Sequence, residues 1–256
     1  MPSLPRSHNI VGRWVPSAGA TGFRLVDRVR SNHGTLTNMD PASDWVANGG
    51  KLALDFDGSN DHVTTTCPGV TTTRRALSVW FRTSITLSNG QFAGVVRWGT
   101  ATTFPADQGK DFAVMFGTDT NFGTNGFGVS QYGNGVAAAG FNDGKWHHGY
   151  IDSVGSLYSV YVDGVFRTSK TMTTNATAGT VVIGRSTYGG ADYFSGQLDD
   201  ITIFNTALTP NEVAQIYRLG RGYGVFPEPD FDEGFAAAGF KAYWAKRQSQ
   251  LIGGGV

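Results

Sequence analysis

Between Leu52 and Phe204 the chain is a succession of short apolar or alternating runs, each closed by Gly, Asn, Asp or Ser. The runs are Leu52–Phe56, Ala76–Phe81, Phe92–Val96, Phe112–Phe116, Trp146–Ile151, Leu157–Val162, Val165–Thr168, Val181–Gly184 and Leu198–Phe204. Each has strand length and is too short for the i, i+3, i+4 stripe of a core-facing helix, so the pattern predicts strands joined by tight turns. One hairpin is marked by its turn. Tyr158, Val160 and Val162 alternate up to Asp163-Gly164, and Asp-Gly suits the two positive-φ positions of a type I′ turn before Val165 and Phe166 resume the pairing. No strand-helix-strand alternation and no internal repeat is present, which excludes a parallel α/β fold, a propeller and a solenoid. The fold class is all-β, two antiparallel sheets packed as a sandwich.

The chain is 256 residues long with 36 glycines and only 16% charged residues, which suits one large sandwich with many turns. Twenty basic residues balance twenty acidic ones, and the longest basic cluster is Lys246-Arg247, so no net field attracts a polyanion and nucleic acid is not expected as a partner. The single cysteine, Cys67, precludes an internal disulfide and reads as packing filler. The stretch from Met1 to His8 lacks the apolar core of a secretory signal, and no later window reaches membrane-span length; a chain without a membrane span, not exported by the Sec route, is expected.

Residues 1–22 contain Pro2, Pro5, Pro16 and three glycines and read as an extended N-terminal arm, with Trp14 pinning it to something apolar and serving as a grip for assembly. Residues 23–220 form the sandwich. At its end Thr209 caps a helix, Pro210 occupies the first position, Glu212 completes a capping box, Gly220 ends it, and Val213, Ile216 and Tyr217 face inward. Residues 221–256 form a C-terminal arm. Its alanine-rich stretch Asp232–Gln248 reads as a second helix weakened by Gly239, with Phe231, Phe235, Phe240, Tyr243 and Trp244 as grips for assembly, and Gly253–Gly255 makes a flexible tail.

Several segments carry a family resemblance. They are Leu25-Val26-Asp27 with Ser31–Leu36, Leu54–Val63, Ala76–Phe81, Gly144–His148, Val160–Gly164 and Gly196–Asn205. Their order and spacing resemble a laminin-G-like (concanavalin-A-like lectin/glucanase) domain over about residues 23–217. The resemblance implies a jelly-roll sandwich whose uses are adhesion, carbohydrate binding or structural display, with glycoside hydrolysis in some relatives. Fold alone does not choose among them. The ending Tyr243–Gly255 resembles tails on bacteriophage structural proteins and some bacterial surface proteins.

The residues argue against catalysis. A glycosidase needs two carboxyl groups flanking the scissile bond, usually including a glutamate; Glu212, Glu228 and Glu233 all follow the last sandwich strand. His147 and His148 are adjacent on a strand and point to opposite faces, one packed and one exposed, so they cannot share a site. No G-x-S-x-G, H-E-x-x-H, Walker or C-x-x-C pattern occurs.

Simple alternation places Asp199 on the face of Ile201 and Ile203, where a carboxylate requires backbone donors, an arginine or a cation. In the family that the chain resembles, a calcium ion often sits near this strand, and Asp27, Asn32, the Gly34 carbonyl, Asp57 and Asp199 offer hard oxygen ligands for it. The alternative is that Asp27 and Asp57 close turns by accepting from nearby amides. For ligands, the glycine loops 99–126 and 186–193 and their surroundings bring Trp98, Phe104, Phe122, Tyr132, Tyr188 and Tyr193 among Asn, Asp and Gly, a set that serves a protein interface first and a sugar face second.

The expectation from sequence is a non-catalytic virion structural protein, a capsid decoration or tail component that grips other virion proteins or its own copies through its arms. The alternative is a carbohydrate-binding or adhesive module at a cell surface or outside the cell, contacting host-surface glycans; a glucanase-like hydrolase is the remote third.

Overall fold

The computed structural model describes residues 4–48, 51–100, 106–131, 133–175, 177–186 and 192–222. The N-terminal half contributes β1 (Ile10–Trp14), β2 (Arg24–Leu25), β3 (Gly34–Thr37), β4 (Trp45–Asn48), β5 (Lys51–Asp57), β6 (His62–Pro68), β7 (Arg74–Arg82), β8 (Phe92–Gly99), β9 (Asp111–Asp119) and β10 (Gly123–Ser130). The remainder contributes β11 (Gly135–Ala138), β12 (Trp146–Val154), β13 (Leu157–Val162), β14 (Val165–Thr171), β15 (Thr180–Ile183), β16 (Arg185–Ser186), β17 (Asp192–Tyr193), β18 (Ser195–Phe204) and the helix α1 (Pro210–Gly222).

The strands make two sheets. The first runs β14-β13-β12-β7-β18-β5-β4 with β1 added beside β18; the second runs β11-β10-β9-β8-β15-β6-β3-β2, with the β16-β17 hairpin joined to β8. Every pairing is antiparallel except the single bridge of Tyr193 with Gly94. The period-two pattern decides which side chains meet between the sheets. On β6, Val63, Thr65 and Cys67 are buried while Thr64 and Thr66 are exposed. From β7 come Leu77, Val79 and Phe81, from β9 Phe112, Val114 and Phe116, and from β18 Leu198, Ile201 and Ile203, all within one core. Phe81 stacks on Phe127 at 4.6 Å and meets Phe116 edge-on at 5.3 Å, geometries that aromatic rings prefer.

The hairpin turn forms as its sequence predicts, with φ of 58° at Asp163 and 76° at Gly164. So does the helix cap. The Thr209 hydroxyl accepts from the Glu212 amide at 3.3 Å, and the Glu212 carboxylate accepts from the Thr209 amide at 2.7 Å. Gly220 does not end the helix, which continues to Gly222. It serves packing instead: a Cβ there would lie 2.5 Å from Cζ2 of Trp80.

Two sequence expectations are corrected. Residues 4–22 do not form an extended arm ahead of the sandwich, because they contribute a strand to it. The ten-residue β18 uses Ser195–Leu198 to pair with β5, and the rest of that edge takes β1, with Trp14 opposite Ile201. An unfilled edge next to a buried core is a liability, and β1 closes it. Trp14 is accordingly fully buried, its indole N–H donating to the Asn32 carbonyl at 3.0 Å, so it belongs to the core and is no assembly grip.

Asp199 does not share the face of Ile201. Between Asp199 and Thr202 the register against β7 slips by one residue, and Asp200 takes a φ of 41°. This bulge flips the alternation and turns Asp199 to the outer face with its partner Trp80. That face is itself covered. Val213, Ile216 and Leu208 pack with Tyr150, Tyr161 and Phe204, while Tyr217 packs on Trp80 and Trp146.

Candidate functional site

The outer face of the second sheet carries the candidate site. Alternation along β9 sends Ala113 and Met115 outward, where they join Phe92, Phe122 and Ala137 in a small cluster separate from the inter-sheet core. Gly94 lets the β16-β17 hairpin lie directly on this face, since a Cβ there would run into the Ser186 backbone nitrogen. At Gly135 a Cβ would lie 2.5 Å from Cε2 of Phe122, so the ring covers the start of β11.

At the rim of this cluster lies a depression of about 300 Å³, lined by Gly90, Phe92, Asp119, Asn121, Phe122, Ser130, Gly133, Asn134, Gly135 and Asp192. Four separate chain segments build it: the start of β8, the β9-β10 turn, the β10-β11 turn and β17. Phe92 and Phe122 meet edge-to-face at 5.8 Å. Asp119 organises its own turn, accepting from the amides of Asn121 and Phe122 at 2.8 and 2.7 Å. Lys170 reaches in from β14, its ammonium donating to the Asn121 side-chain oxygen at 3.1 Å and the Gly135 carbonyl at 3.2 Å.

Asp192 is different. Its Oδ2 is buried and has no hydrogen-bond partner, and burial pushes the carboxyl pKa up to about 6. Ser186, paired with Asp192 across the hairpin, also has a buried Oγ without a partner, although it does not line the depression. Buried polar groups are nearly always paired, so the unpaired Asp192 oxygen singles out this part of the depression's lining.

Residues 57–214 match the sequence profile described as the concanavalin A-like lectin/glucanases superfamily. The chain belongs to that superfamily. Among solved structures it resembles Domain 4 of AbnA, a GH43 extracellular arabinanase from Geobacillus stearothermophilus in complex with arabinotriose, at 16% identity and a TM-score of 0.59 over 82% of this chain and 98% of that one. It also resembles the Trypanosoma rangeli sialidase at 15% identity and a TM-score of 0.59, over 89% of this chain and 36% of the sialidase. This chain therefore spans about a third of the sialidase's length. At these identities the likeness establishes the fold. No curated protein matches the chain by sequence.

Within this superfamily sandwich the residues singled out from sequence separate. Trp98 is not a ligand platform: it is 1% exposed, stacked on Phe112 at 4.4 Å, with its N–H donated to the Val70 carbonyl. Phe122 lines the depression, yet it is 3% exposed and packs as a wall, not an open face. Tyr193 is half-buried beside Asp192, with the Arg185 guanidinium 5.3 Å above its ring. Tyr132, Tyr188 and Phe104 lie outside the described residues, as do Phe231, Phe235, Phe240, Tyr243, Trp244 and the second helix.

The five oxygen ligands do not converge. Asp57 pairs with Ser195 at the start of β18, whereas Asp27 bridges to Trp14 opposite Ile201, roughly 20 Å further along the strand. Both aspartates close turns. Asp27 accepts from the amides of Arg13, Val29 and Asn32, and Asp57 from those of Ser59 and Asn60. The Asn32 amide donates to the Val11 carbonyl, Gly34 sits within the β3 ladder, and Asp199 accepts from Ser17. Among the described residues no three His, Cys, Asp or Glu side chains group as metal ligands.

The two histidines do take opposite faces. His148 is fully buried between Trp80 and Tyr217, with Nε2 2.8 Å from Ser78 Oγ, and burial lowers its pKa to about 4. Ser78 is 2% exposed, so this pair is shut away beneath α1. Sequence reasoning missed Asp119, Asn121, Ser130, Asn134 and Asp192. The available signal was the pair of turns Asp119-Thr120-Asn121 and Gly133-Asn134-Gly135, each next to one aromatic residue in the sequence, Phe122 and Tyr132.

Proposed function

We propose that the chain is a non-catalytic carbohydrate-binding sandwich that takes the end of a neutral glycan in the depression bounded by Phe92, Phe122, Asn134 and Asp192. The observation that carries this reading is the buried, unpaired Asp192 carboxylate oxygen in a depression walled by Phe92 and Phe122. A sugar offers hydroxyl donors to such oxygens and an apolar ring face to such a wall, and a few placed polar groups in a largely apolar cleft are what small-molecule sites use. A relative in fold, Domain 4 of AbnA, was solved with arabinotriose. The non-catalytic part rests on the lining: among the described residues it holds two aspartates and no glutamate, and Asp119 is engaged by the amides of its own turn. The test is a neutral-glycan array probed with the wild type and with Asn134→Ala and Asp192→Ala. Selective retention lost in both variants supports the reading; uniform binding to all glycans, or binding that neither change alters, defeats it. Release of reducing ends from any polysaccharide would defeat the non-catalytic part.

A second, compatible reading is display on a virion as a capsid decoration or tail component. The hairpin tip at Val165 and Phe166 is half exposed, as are Val154 and Leu157 at the other end of the same strands, which suits contact with another protein. Because β1 is built into the sandwich, attachment falls to this hairpin and to residues 223–256. Deleting 223–256 should then abolish incorporation into particles and leave glycan retention intact; unchanged incorporation defeats it.

A further inference from the structure

A second depression, of about 380 Å³, lies away from the first, between β1, the turn joining β2 to β3, and the segment joining β6 to β7. Its apolar side is made by Val11, Pro68 and Val70, and Arg30, Thr71 and Asn205 supply donors. Among the described residues no acidic side chain lines it. Arg30, the one arginine in the described lining, is exposed and forms no ion pair among the described residues. Asp27, the nearest acid in sequence to Arg28 and Arg30, is 4% exposed and directs both carboxylate oxygens at backbone amides. In a chain with no net charge, a concave site that carries the unpaired Arg30 and no acidic side chain among its described lining favours an anion. Asn205 accepts from Asn9 through its oxygen, which leaves its own amide hydrogens as donors.

We propose that this depression binds the anionic group of an acidic saccharide, a carboxylate or sulfate ester held by the Arg30 guanidinium, with the sugar ring against Pro68 and Val70. The guanidinium fork matches either oxyanion in a two-bond geometry. The saccharide part rests on the glycan-binding function proposed above; the anion part does not.

The test is calorimetric titration of the full chain, near physiological ionic strength, with a glucuronate-terminated trisaccharide, a 6-sulfated galactose-terminated trisaccharide, their neutral parent and inorganic sulfate. At least one acidic trisaccharide should bind with Arg30→Gln weakening it by about tenfold or more, as the loss of one charge-assisted contact gives. Arg24→Gln, an exposed arginine outside the depression, should leave that binding unchanged. The tighter of the two acidic probes names the source of the anion. Asp192→Ala should abolish neutral-glycan binding and spare acidic binding, which separates the two sites. Equal losses in Arg30→Gln and Arg24→Gln would reveal diffuse attraction and overturn the proposal. Failure of both acidic probes, or sulfate binding as tightly as either, would overturn it too.

Discussion

The buried carboxylate of Asp199 accepts a 3.0 Å hydrogen bond from the backbone amide of Ser17, tying the one-turn helix Pro16–Ala18 to the bulge in β18. Burial, followed by the neighbouring Asp200 charge, raises its pKa to about 7 despite that bond. The folded state thus holds a proton that the unfolded chain releases near pH 4, so stability falls as pH rises from about 4 to about 7 and the penalty is complete above that. Asp199→Asn keeps an acceptor for Ser17 without the charge. Thermal melts should show it more stable than the wild type at pH 8, by on the order of a few kcal/mol, with the gap nearly closed at pH 4. An equal gap at both values would show that ionisation is not the cause.

His147 sits between two acids, Nδ1 2.8 Å from Asp163 and Nε2 3.1 Å from Asp143. Burial pulls its pKa down, but the hydrogen bonds and charges of Asp163 and then Asp143 outweigh this, and the net shift is upward. A raised folded pKa gives stability that is fully present below the unfolded value near 6.5 and is lost as pH rises through the folded value. His147→Gln should therefore be more destabilising at pH 6 than at pH 9 by denaturant midpoint, and a constant difference would rule out a charged pair.

Arg97 and Asp111 form a bidentate pair on the outer face of the second sheet, at 2.9 and 3.1 Å, with the Asp111 side chain fully buried. Arg97→Met takes the guanidinium away from a buried carboxylate and should cost about 3–5 kcal/mol in equilibrium unfolding, whereas a double replacement by apolar residues recovers most of the loss. If the single variant costs no more than the double, the pair is not coupled.

The capping box of Thr209 and Glu212 holds the start of α1 over the buried outer face of the first sheet. Thr209→Ala should cost about 1 kcal/mol in urea unfolding and raise amide exchange in the first turn of α1. Exchange raised equally in β9 would mean the loss is global.

In the proposed glycan site, Asp192 titrates near pH 6 because it is buried. Its ionised form is the stronger acceptor for a sugar hydroxyl, so neutral-glycan affinity should rise from pH 5 to pH 7 in the wild type and stay flat in Asp192→Asn. A rise of the same size in the variant would assign the titration to another group.

Much of this architecture is written locally. The short runs from Leu52 to Phe204, the Asp163-Gly164 turn and the Thr209 capping box all form where nearest-neighbour rules place them, because side-chain alternation, positive φ and cap hydrogen bonds are decided within a few residues. The absence of glutamates from the strands is equally a property of the sequence.

Three features depended on contacts distant along the chain. β1 is a strand because β18 has an edge to fill 187 residues away in the Arg13–Asp200 ion pair. Asp199 faces outward because a bulge forms against β7, which alternation on β18 alone cannot reveal. The depression at Asp192 exists because four segments meet on the outer face of one sheet. The sequence by itself determined the nine runs between Leu52 and Phe204, the Asp163-Gly164 turn and the sandwich class. The tertiary structure decided which aromatics are core, as with Trp98 and Trp14, and which polar atoms are left unpaired, since burial is a property of the neighbours that packing brings and not of the residue alone.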